Sequence, residues 1–269
     1  MAERGLTSRK ITSRDFVKIF NSFDTDGNGY IEKKELDEFL KVMYEEKQGK
    51  TPSPPELEKF KQEVLSQYDE NHDGRFQMQE LQKILDVEES LLGKYKLKEG
   101  PITSVDFIKI WTHYDVDKSG FLEQDELEGF FYEMLQPYNQ NVQPQQVKEL
   151  VSSYIELYDS NKDGKFELSE LARFIHVEDN FIEQFRGKSE LSKEDFNKLF
   201  NHYDDDNSGA IEGDEITALL RDILLQQNKN QEITQADLEG IRTQILEMFD
   251  TNKDGKLSRD EMSLLFSCK

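Results

Sequence analysis

The sequence is poor in the residues that would build covalent cross-links or membrane spans. It has one cysteine, Cys268, which excludes an internal disulfide framework. No uninterrupted apolar run reaches the length that a membrane-spanning helix needs. The first residues, MAERGLTSRK, contain no apolar segment typical of a secretory signal, and Ala2 excludes the N-myristoylation motif. These absences predict a reduced, soluble protein of the cytoplasm.

Basic residues are also scarce relative to acidic ones. The chain has 34 Lys and Arg against 56 Asp and Glu, which gives a net charge of −22. Such a surface repels phosphate backbones, so nucleic acid is not expected as a partner. The four histidines have no metal-ligand spacing, and no glycine-rich phosphate loop or nucleophile–base arrangement is present. The sequence therefore predicts a protein that is not an enzyme.

The acidic residues are concentrated in six similar twelve-residue loops, which recur every 44 to 46 residues. Each loop has Asp at position 1, an oxygen-bearing Asp, Asn or Ser at positions 3 and 5, Gly at position 6 and Glu at position 12. Numbered along the chain, loops 1 to 6 run over 24–35, 69–80, 115–126, 159–170, 204–215 and 250–261. A repeat of this length is typical of an array of similar structural units.

The order of residues in each loop is that of a calcium cage. Side-chain oxygens at positions 1, 3 and 5, a backbone carbonyl at position 7 and both carboxylate oxygens at position 12 are the ligands of Ca²⁺ in such a loop. The predicted ligands are Asp24, Asp26, Asn28, Tyr30, Glu35, Asp69, Asn71, Asp73, Arg75, Glu80, Asp115, Asp117, Ser119, Phe121, Glu126, Asp159, Asn161, Asp163, Lys165, Glu170, Asp204, Asp206, Ser208, Ala210, Glu215, Asp250, Asn252, Asp254, Lys256 and Glu261. We expect up to six bound Ca²⁺ ions, the alternative being that some loops are vestigial.

Apolar residues at helical spacing flank every loop. Loop 1, for example, is preceded by one such stripe and followed by another, formed by Phe16, Ile19, Phe20 and Phe23, then Leu36, Phe39, Leu40 and Met43. These spacings predict amphipathic helices on both sides of each loop. The fold class is therefore predicted to be all-α, with six EF-hands. An apolar residue at position 8 of every loop predicts short antiparallel β pairing between loops.

Helix-capping signals group the hands in pairs. Thr12, Thr103 and Ser192 are each followed three residues later by Asp, and they precede loops 1, 3 and 5. A hydroxyl followed by an acid at this spacing is typical of a helix N-terminus. The chain is thus predicted to form three lobes of two hands each, over residues 1–98, 99–187 and 188–269.

Six such loops over the whole chain resemble the hexa-EF-hand family of calbindin, calretinin and secretagogin. The segment 177–185 is similar to the linker that follows an even-numbered hand in that family. Within the family, 209–213 and 252–256 are most similar to the secretagogin side. Family members often carry degenerate loops, whereas this sequence retains the ligand pattern in all six.

Two functions remain open. A Ca²⁺ sensor would expose apolar surface and recruit target proteins or helical peptides, and the resemblance implies the SNARE proteins of exocytosis and an association with secretory vesicles. A cytosolic Ca²⁺ buffer would bind ions without opening. The six methionines are few for a promiscuous groove, but the 18 phenylalanines could line a selective one. We favour the sensor, as a monomer that could form a disulfide dimer through Cys268 on oxidation.

Overall fold

The structure is a computed structural model that describes residues 10–88, 90–95, 101–139, 141–188, 190–227 and 233–266. Cys268, the predicted dimer-forming residue, lies outside these ranges. The helices are α1 Ser13–Phe23, α2 Lys33–Gln48, α3 Pro54–Tyr68, α4 Met78–Ile84, α5 Leu91–Tyr95, α6 Ser104–Tyr114, α7 Gln124–Leu135, α8 Pro144–Tyr158, α9 Leu168–Phe174, α10 Lys193–Tyr203, α11 Gly213–Gln227, α12 Gln235–Phe249 and α13 Arg259–Leu265. A 3₁₀-helix, Phe181–Phe185, precedes α10, and the strands are β1 Ala210–Ile211 and β2 Leu257–Ser258.

Each predicted loop lies between two of these helices, which confirms the all-α fold with six EF-hands. Hands 1 to 6 are formed by α1–α2, α3–α4, α6–α7, α8–α9, α10–α11 and α12–α13. The incoming helices of hands 1, 3 and 5 begin at the predicted caps, where a hydroxyl oxygen accepts the N–H of the Asp three residues later. These side chains satisfy backbone donors that the first helical turn leaves unpaired.

The loops pair through the apolar residue at position 8, as predicted. Ile31 and Phe76 exchange backbone hydrogen bonds of 2.8 and 3.0 Å in an antiparallel bridge. Leu122 and Phe166 form the equivalent bridge between loops 3 and 4. In loops 5 and 6 the pairing extends to β1 and β2, with Ile211 opposite Leu257. All six side chains are fully buried, so the pairing also contributes to the core.

The chain divides into two compact units. The first comprises Met1–Lys94 and Glu123–Leu157, and the second comprises Tyr95–Leu122 and Tyr158–Lys269. Hand 3 contributes to both, since α6 belongs to the second unit and α7 to the first. The three predicted lobes, with boundaries after residues 98 and 187, stay a prediction.

In the first unit, α1 packs along α7. Gly129 of α7 is the point of close approach, because a Cβ there would lie 2.7 Å from the Cα of Arg14. The ring centroids of Phe16 and Tyr132 are 5.3 Å apart, and Phe130 and Phe131 are fully buried. Burial of each large apolar side chain of this kind contributes about 1.5–3 kcal/mol to folding.

In the second unit, α6 packs along α11 in the same manner. Ala218 of α11 stands at the position that corresponds to Gly129 and is fully buried. The guanidinium of Arg221 lies over the ring of Phe107 at 5.0 Å from its centroid. Leu219 and Leu220 complete the buried face of α11. Across the described parts of both units, no helix is both long enough and apolar enough to cross a membrane.

Candidate calcium sites

The first aspartate of each loop organises the turn that follows it. In loop 1, the backbone N–H of Gly29 donates to Oδ2 of Asp24 at 3.0 Å, and the N–H of Asn28 donates to Oδ1 at 3.0 Å. Loop 5 repeats this with Gly209 and Asp204, at 3.1 Å. The loop backbone is thus wrapped around the oxygens at position 1 by its own N–H groups.

Position 4 of every loop has left-handed backbone geometry. Gly27 holds this position in loop 1 with φ of 69°, while the other five loops place a residue with a side chain there, with φ between 57° and 60°. These five residues are His72, Lys118, Lys162, Asn207 and Lys253. Position 6 is glycine throughout, as the sharp turn requires, with φ from 78° to 85°.

The glutamate at position 12 is also the third residue of the helix that leaves the loop. In loop 5, Oε2 of Glu215 accepts the N–H of Glu212, at position 9, at 3.0 Å. Its Oε1 accepts the N–H of Asp205, at position 2, at 2.9 Å. The same bridge between positions 2 and 9 is made by Glu35, Glu80, Glu170 and Glu261. Position 9, absent from the predicted ligands, therefore serves as the N-cap of the exiting helix.

The predicted carboxylate ligands converge in loops 1 and 5. Asp24, Asp26 and Glu35 each offer an oxygen within 4.8 Å of the others, and so do the three corresponding residues of loop 5, Asp204, Asp206 and Glu215. Loop 3 has the same residue types, with Asp115 and Asp117 in the second unit and Glu126 in the first. Such oxygen-rich groups suit hard cations, and Ca²⁺ in particular.

The remaining ligand positions fit the same cage. In loops 3 and 5 the position-5 hydroxyls of Ser119 and Ser208 donate to the carbonyls of Phe121 and Ala210 at 3.1 and 3.0 Å. Each carbonyl at position 7 thereby lies beside the oxygen at position 5. Loops 2, 4 and 6 differ in carrying Asn at position 3 and Asp at position 5, as Asn71, Asp73, Asn161, Asp163, Asn252 and Asp254.

Crowding of acids in partly buried loops affects their protonation. Burial raises the pKa of Asp24, although the N–H groups of Gly29 and Asn28 oppose the shift. Burial likewise raises the pKa of Glu215. In Glu35 the effect of burial is outweighed by hydrogen bonds from Thr25 and Glu32, so its pKa lies below the usual value. The hydroxyl and N–H of Ser258 lower the pKa of Glu261 to about 2.

Basic side chains at position 7 of two even-numbered loops reach the paired odd-numbered loop. Arg75 of loop 2 lies 3.6 Å from the carboxylate of Glu32, at position 9 of loop 1. Lys256 of loop 6 forms an ion pair with Glu212, at position 9 of loop 5. These cations were not evident from the ligand pattern, which assigns position 7 only a backbone role.

Comparison with known proteins agrees with this geometry. A family model described as an EF-hand domain pair matches residues 14–86 and 193–267. Calbindin-32 of Drosophila melanogaster is 35% identical over 266 residues, which cover 96% of this chain and 86% of that protein. Secretagogin of Danio rerio is 36% identical, with 94% of each chain covered. Human calretinin is 35% identical, with 95% of this chain and 92% of that protein covered. The resemblance to secretagogin is thus one of several at the same level.

Proposed function

The chain belongs to the calcium-binding EF-hand family that includes calbindin, calretinin and secretagogin, and we propose that it is a Ca²⁺ sensor that recruits target proteins. The observation that supports this is the double role of the glutamate at position 12. Glu215 is a predicted bidentate ligand and also lies in the first turn of α11, where it accepts the N–H of the helix N-cap. Movement of this carboxylate onto an ion is therefore transmitted to the exiting helix.

The proposal requires apolar side chains that become accessible when an exiting helix moves. The candidates are Phe130 and Phe131 on α7, and Leu219, Leu220 and Ile223 on α11. The first four are fully buried in this structure, and Ile223 is half-buried. Their exposure would create a groove for an amphipathic helical peptide.

We further propose that all six loops bind Ca²⁺ through the predicted ligands, that the hands form the three predicted lobes, and that the chain has no catalytic role.

Resemblance to secretagogin suggests the class of target. We infer that the targets include SNARE proteins of regulated secretion, and that the protein acts in the cytoplasm with a fraction associated with secretory vesicles. The working form is a monomer, and oxidation of Cys268 links two copies. Size-exclusion chromatography with and without reductant tests the last point.

The second candidate function is a cytosolic Ca²⁺ buffer, and the packing of the exiting helices favours it. α7 is already covered by α1, with Arg14 bonded to Asp125 at 2.8 Å and Phe16 against Tyr132. α11 is covered by α6 in the second unit. Opening must break these contacts, whereas a buffer would keep them.

Binding of an apolar dye and of a synthetic amphipathic helical peptide, each with and without Ca²⁺, separates the two functions. For a sensor we expect Ca²⁺ to increase binding of the dye and binding of the peptide. We also expect recombinant SNARE proteins to be captured only with Ca²⁺. The double substitution Glu126→Gln with Glu215→Gln removes the chelating carboxylate in hands 3 and 5 and should abolish both responses.

The matched control is Glu80→Gln with Glu170→Gln, which makes the same chemical change in hands 2 and 4 and should preserve dye and peptide binding. If the unsubstituted protein loads its sites while dye and peptide binding stay flat, the sensor proposal is wrong and the buffer takes its place.

A further inference from the structure

Asp222 of α11 is a fully buried acid with no place in the calcium cage. It follows Glu215, the last ligand of loop 5, by seven residues. Its carboxylate accepts the hydroxyl of Ser104 at 2.8 Å and the hydroxyl of Tyr203 at 2.7 Å, and the Arg221 guanidinium lies at 3.2 Å. Burying a carboxylate is unfavourable unless such donors replace water. These donors therefore stabilise the buried carboxylate of Asp222.

Apart from Arg221, which lies on α11 itself, the donors to Asp222 come from three other parts of the chain. Ser104 is the first residue of α6, the incoming helix of hand 3, and Tyr203 is the last residue of α10, directly before the ligand Asp204. The backbone carbonyl of Asp222 also accepts the side-chain amide of Asn180 at 2.6 Å, and Asn180 caps the 3₁₀-helix after hand 4. Asp222 thus joins both helices that flank loop 5 to the helix that leads into loop 3.

The first unit contains the same arrangement one repeat earlier. Glu133 of α7 follows Glu126 by seven residues, is 2% exposed, and accepts the hydroxyl of Ser13 at 2.6 Å. Ser13 is the first residue of α1, as Ser104 is of α6. Glu133 also accepts the hydroxyl of Ser90, which stands where Asn180 stands in the later linker, at 2.9 Å. A buried acid that accepts the hydroxyl of the first residue of the packed helix therefore recurs in both units, between successive odd-numbered hands.

Hand 1 differs from hands 3 and 5 at this position. The residue seven positions after Glu35 is Val42, not an acid. The face of α2 that corresponds to the α1-contacting face of α7 carries Lys34, Glu38 and Lys41, all exposed. In α10, the incoming helix of hand 5, Lys193 and Asn197 stand at the positions that Ser104 and Ile108 occupy in α6. In α7 and α11, by contrast, the acid is buried and accepts a hydroxyl from the helix packed against it, α1 and α6 respectively.

We propose that Asp222 is a positioning residue that couples Ca²⁺ binding in loop 5 to the placement of α6, and through α6 to loop 3. In this structure Asp222 makes its contacts while carboxylate oxygens of Asp204, Asp206 and Glu215 lie within 4.8 Å of one another. We call this the latched arrangement: Ser104 of α6 is bonded to Asp222, and the carboxylate ligands of loop 5 are close together. Stabilising a binding-competent arrangement raises apparent affinity in proportion to its population. By linkage, ion binding in loop 5 favours the latched position of α6 to the same degree.

The test follows each loop separately through the amide signals of Gly209 and Gly120 in a Ca²⁺ titration by NMR. Both amides donate to the first aspartate of their loop, at 3.1 and 3.2 Å. Ser104→Ala removes one donor to Asp222, and we expect roughly fivefold weaker binding in loop 5. Ser13→Ala makes the same change in the first unit, and it should leave loop 5 unaffected.

Coupling itself is measured by disabling loop 5 with Glu215→Gln and recording the affinity of loop 3. In the otherwise unsubstituted chain, we expect Glu215→Gln to weaken the Ca²⁺ affinity of loop 3 roughly fivefold. In the Ser104→Ala background, the same substitution should change the affinity of loop 3 little or not at all. Tyr203→Phe provides a second variant that removes a different donor. Unchanged loop 5 affinity in both variants, or coupling that persists in Ser104→Ala, would overturn the proposal. These readouts require ion binding only, so they stand or fall independently of dye and peptide binding.

Discussion

The guanidinium of Arg75 donates a hydrogen bond to Oδ2 of Asp73 at 2.8 Å, so a cation of the protein itself lies on a predicted ligand of loop 2. The same guanidinium stacks over the Tyr30 ring, 3.8 Å from its centroid. Contacts to Asp73 raise the pKa of Arg75, so its charge is retained at every pH of interest. A fixed positive charge beside a calcium ligand opposes binding of a second cation.

Arg75→Gln should therefore strengthen Ca²⁺ binding in loop 2 by a few-fold, because it removes a positive charge that repels the ion. The shift of the Gly74 amide signal during a Ca²⁺ titration measures this. Lys59→Gln changes net charge equally on the exposed side of α3 and serves as control. Weaker binding in Arg75→Gln would mean that the arginine organises the loop more than it repels the ion.

Ion stoichiometry should reach six at saturation, because every loop keeps a complete set of predicted ligands. Native mass spectrometry across a Ca²⁺ series counts the ions directly. Loops 2 and 6 have Gln77 and Ser258 at position 9, where the other four loops have Glu, so they carry less negative charge and are expected to fill late. A plateau at four ions or fewer would contradict the prediction.

The pairing of loops and the composition of the core followed from local sequence pattern. Ile211 and Leu257 pair as expected from the apolar residue at position 8 of every loop. Phe39, placed on a helix stripe by its spacing, is fully buried. Glu133 and Asp222 could not be found this way, because an acid on a helix ordinarily predicts solvent exposure. Their partners are remote in sequence, as Ser13 and Glu133 are 120 residues apart. The sequence signal that did exist is Gly129, which is unfavourable within a helix unless another backbone lies close.

Removing Ca²⁺ with a chelator should lower the melting temperature markedly. Carboxylates gathered within 4.8 Å, as in loops 1 and 5, repel one another without a cation. An ion that binds only the folded loop stabilises it by about 2.7 kcal/mol per site at a hundredfold excess over Kd. Added NaCl screens the repulsion and should restore part of the loss. A melting curve that chelator leaves unchanged would show that the loops are not coupled to folding.

Gly129 and Gly240 provide a matched pair that tests the α1–α7 packing. Both glycines lie inside helices, so alanine would gain roughly 0.5–1 kcal/mol of helix propensity at either position. At Gly240 a new Cβ meets nothing within 4 Å, and Gly240→Ala should stabilise the protein by that amount.

At Gly129 the new Cβ would lie 2.7 and 2.8 Å from the Cα and backbone nitrogen of Arg14, which cannot move aside as a flexible side chain would. Overpacking of this kind costs about 1–3 kcal/mol, so the clash outweighs the gain in propensity and Gly129→Ala should be destabilising. Urea unfolding in saturating Ca²⁺ measures both variants in the same loaded state. We expect the two substitutions to change the free energy of unfolding in opposite directions. Both glycines have helical backbone geometry, but only Gly129 has another backbone packed against it. Equal stabilisation by both substitutions would show that α1 does not approach α7 as closely as the packing of Arg14 on Gly129 requires.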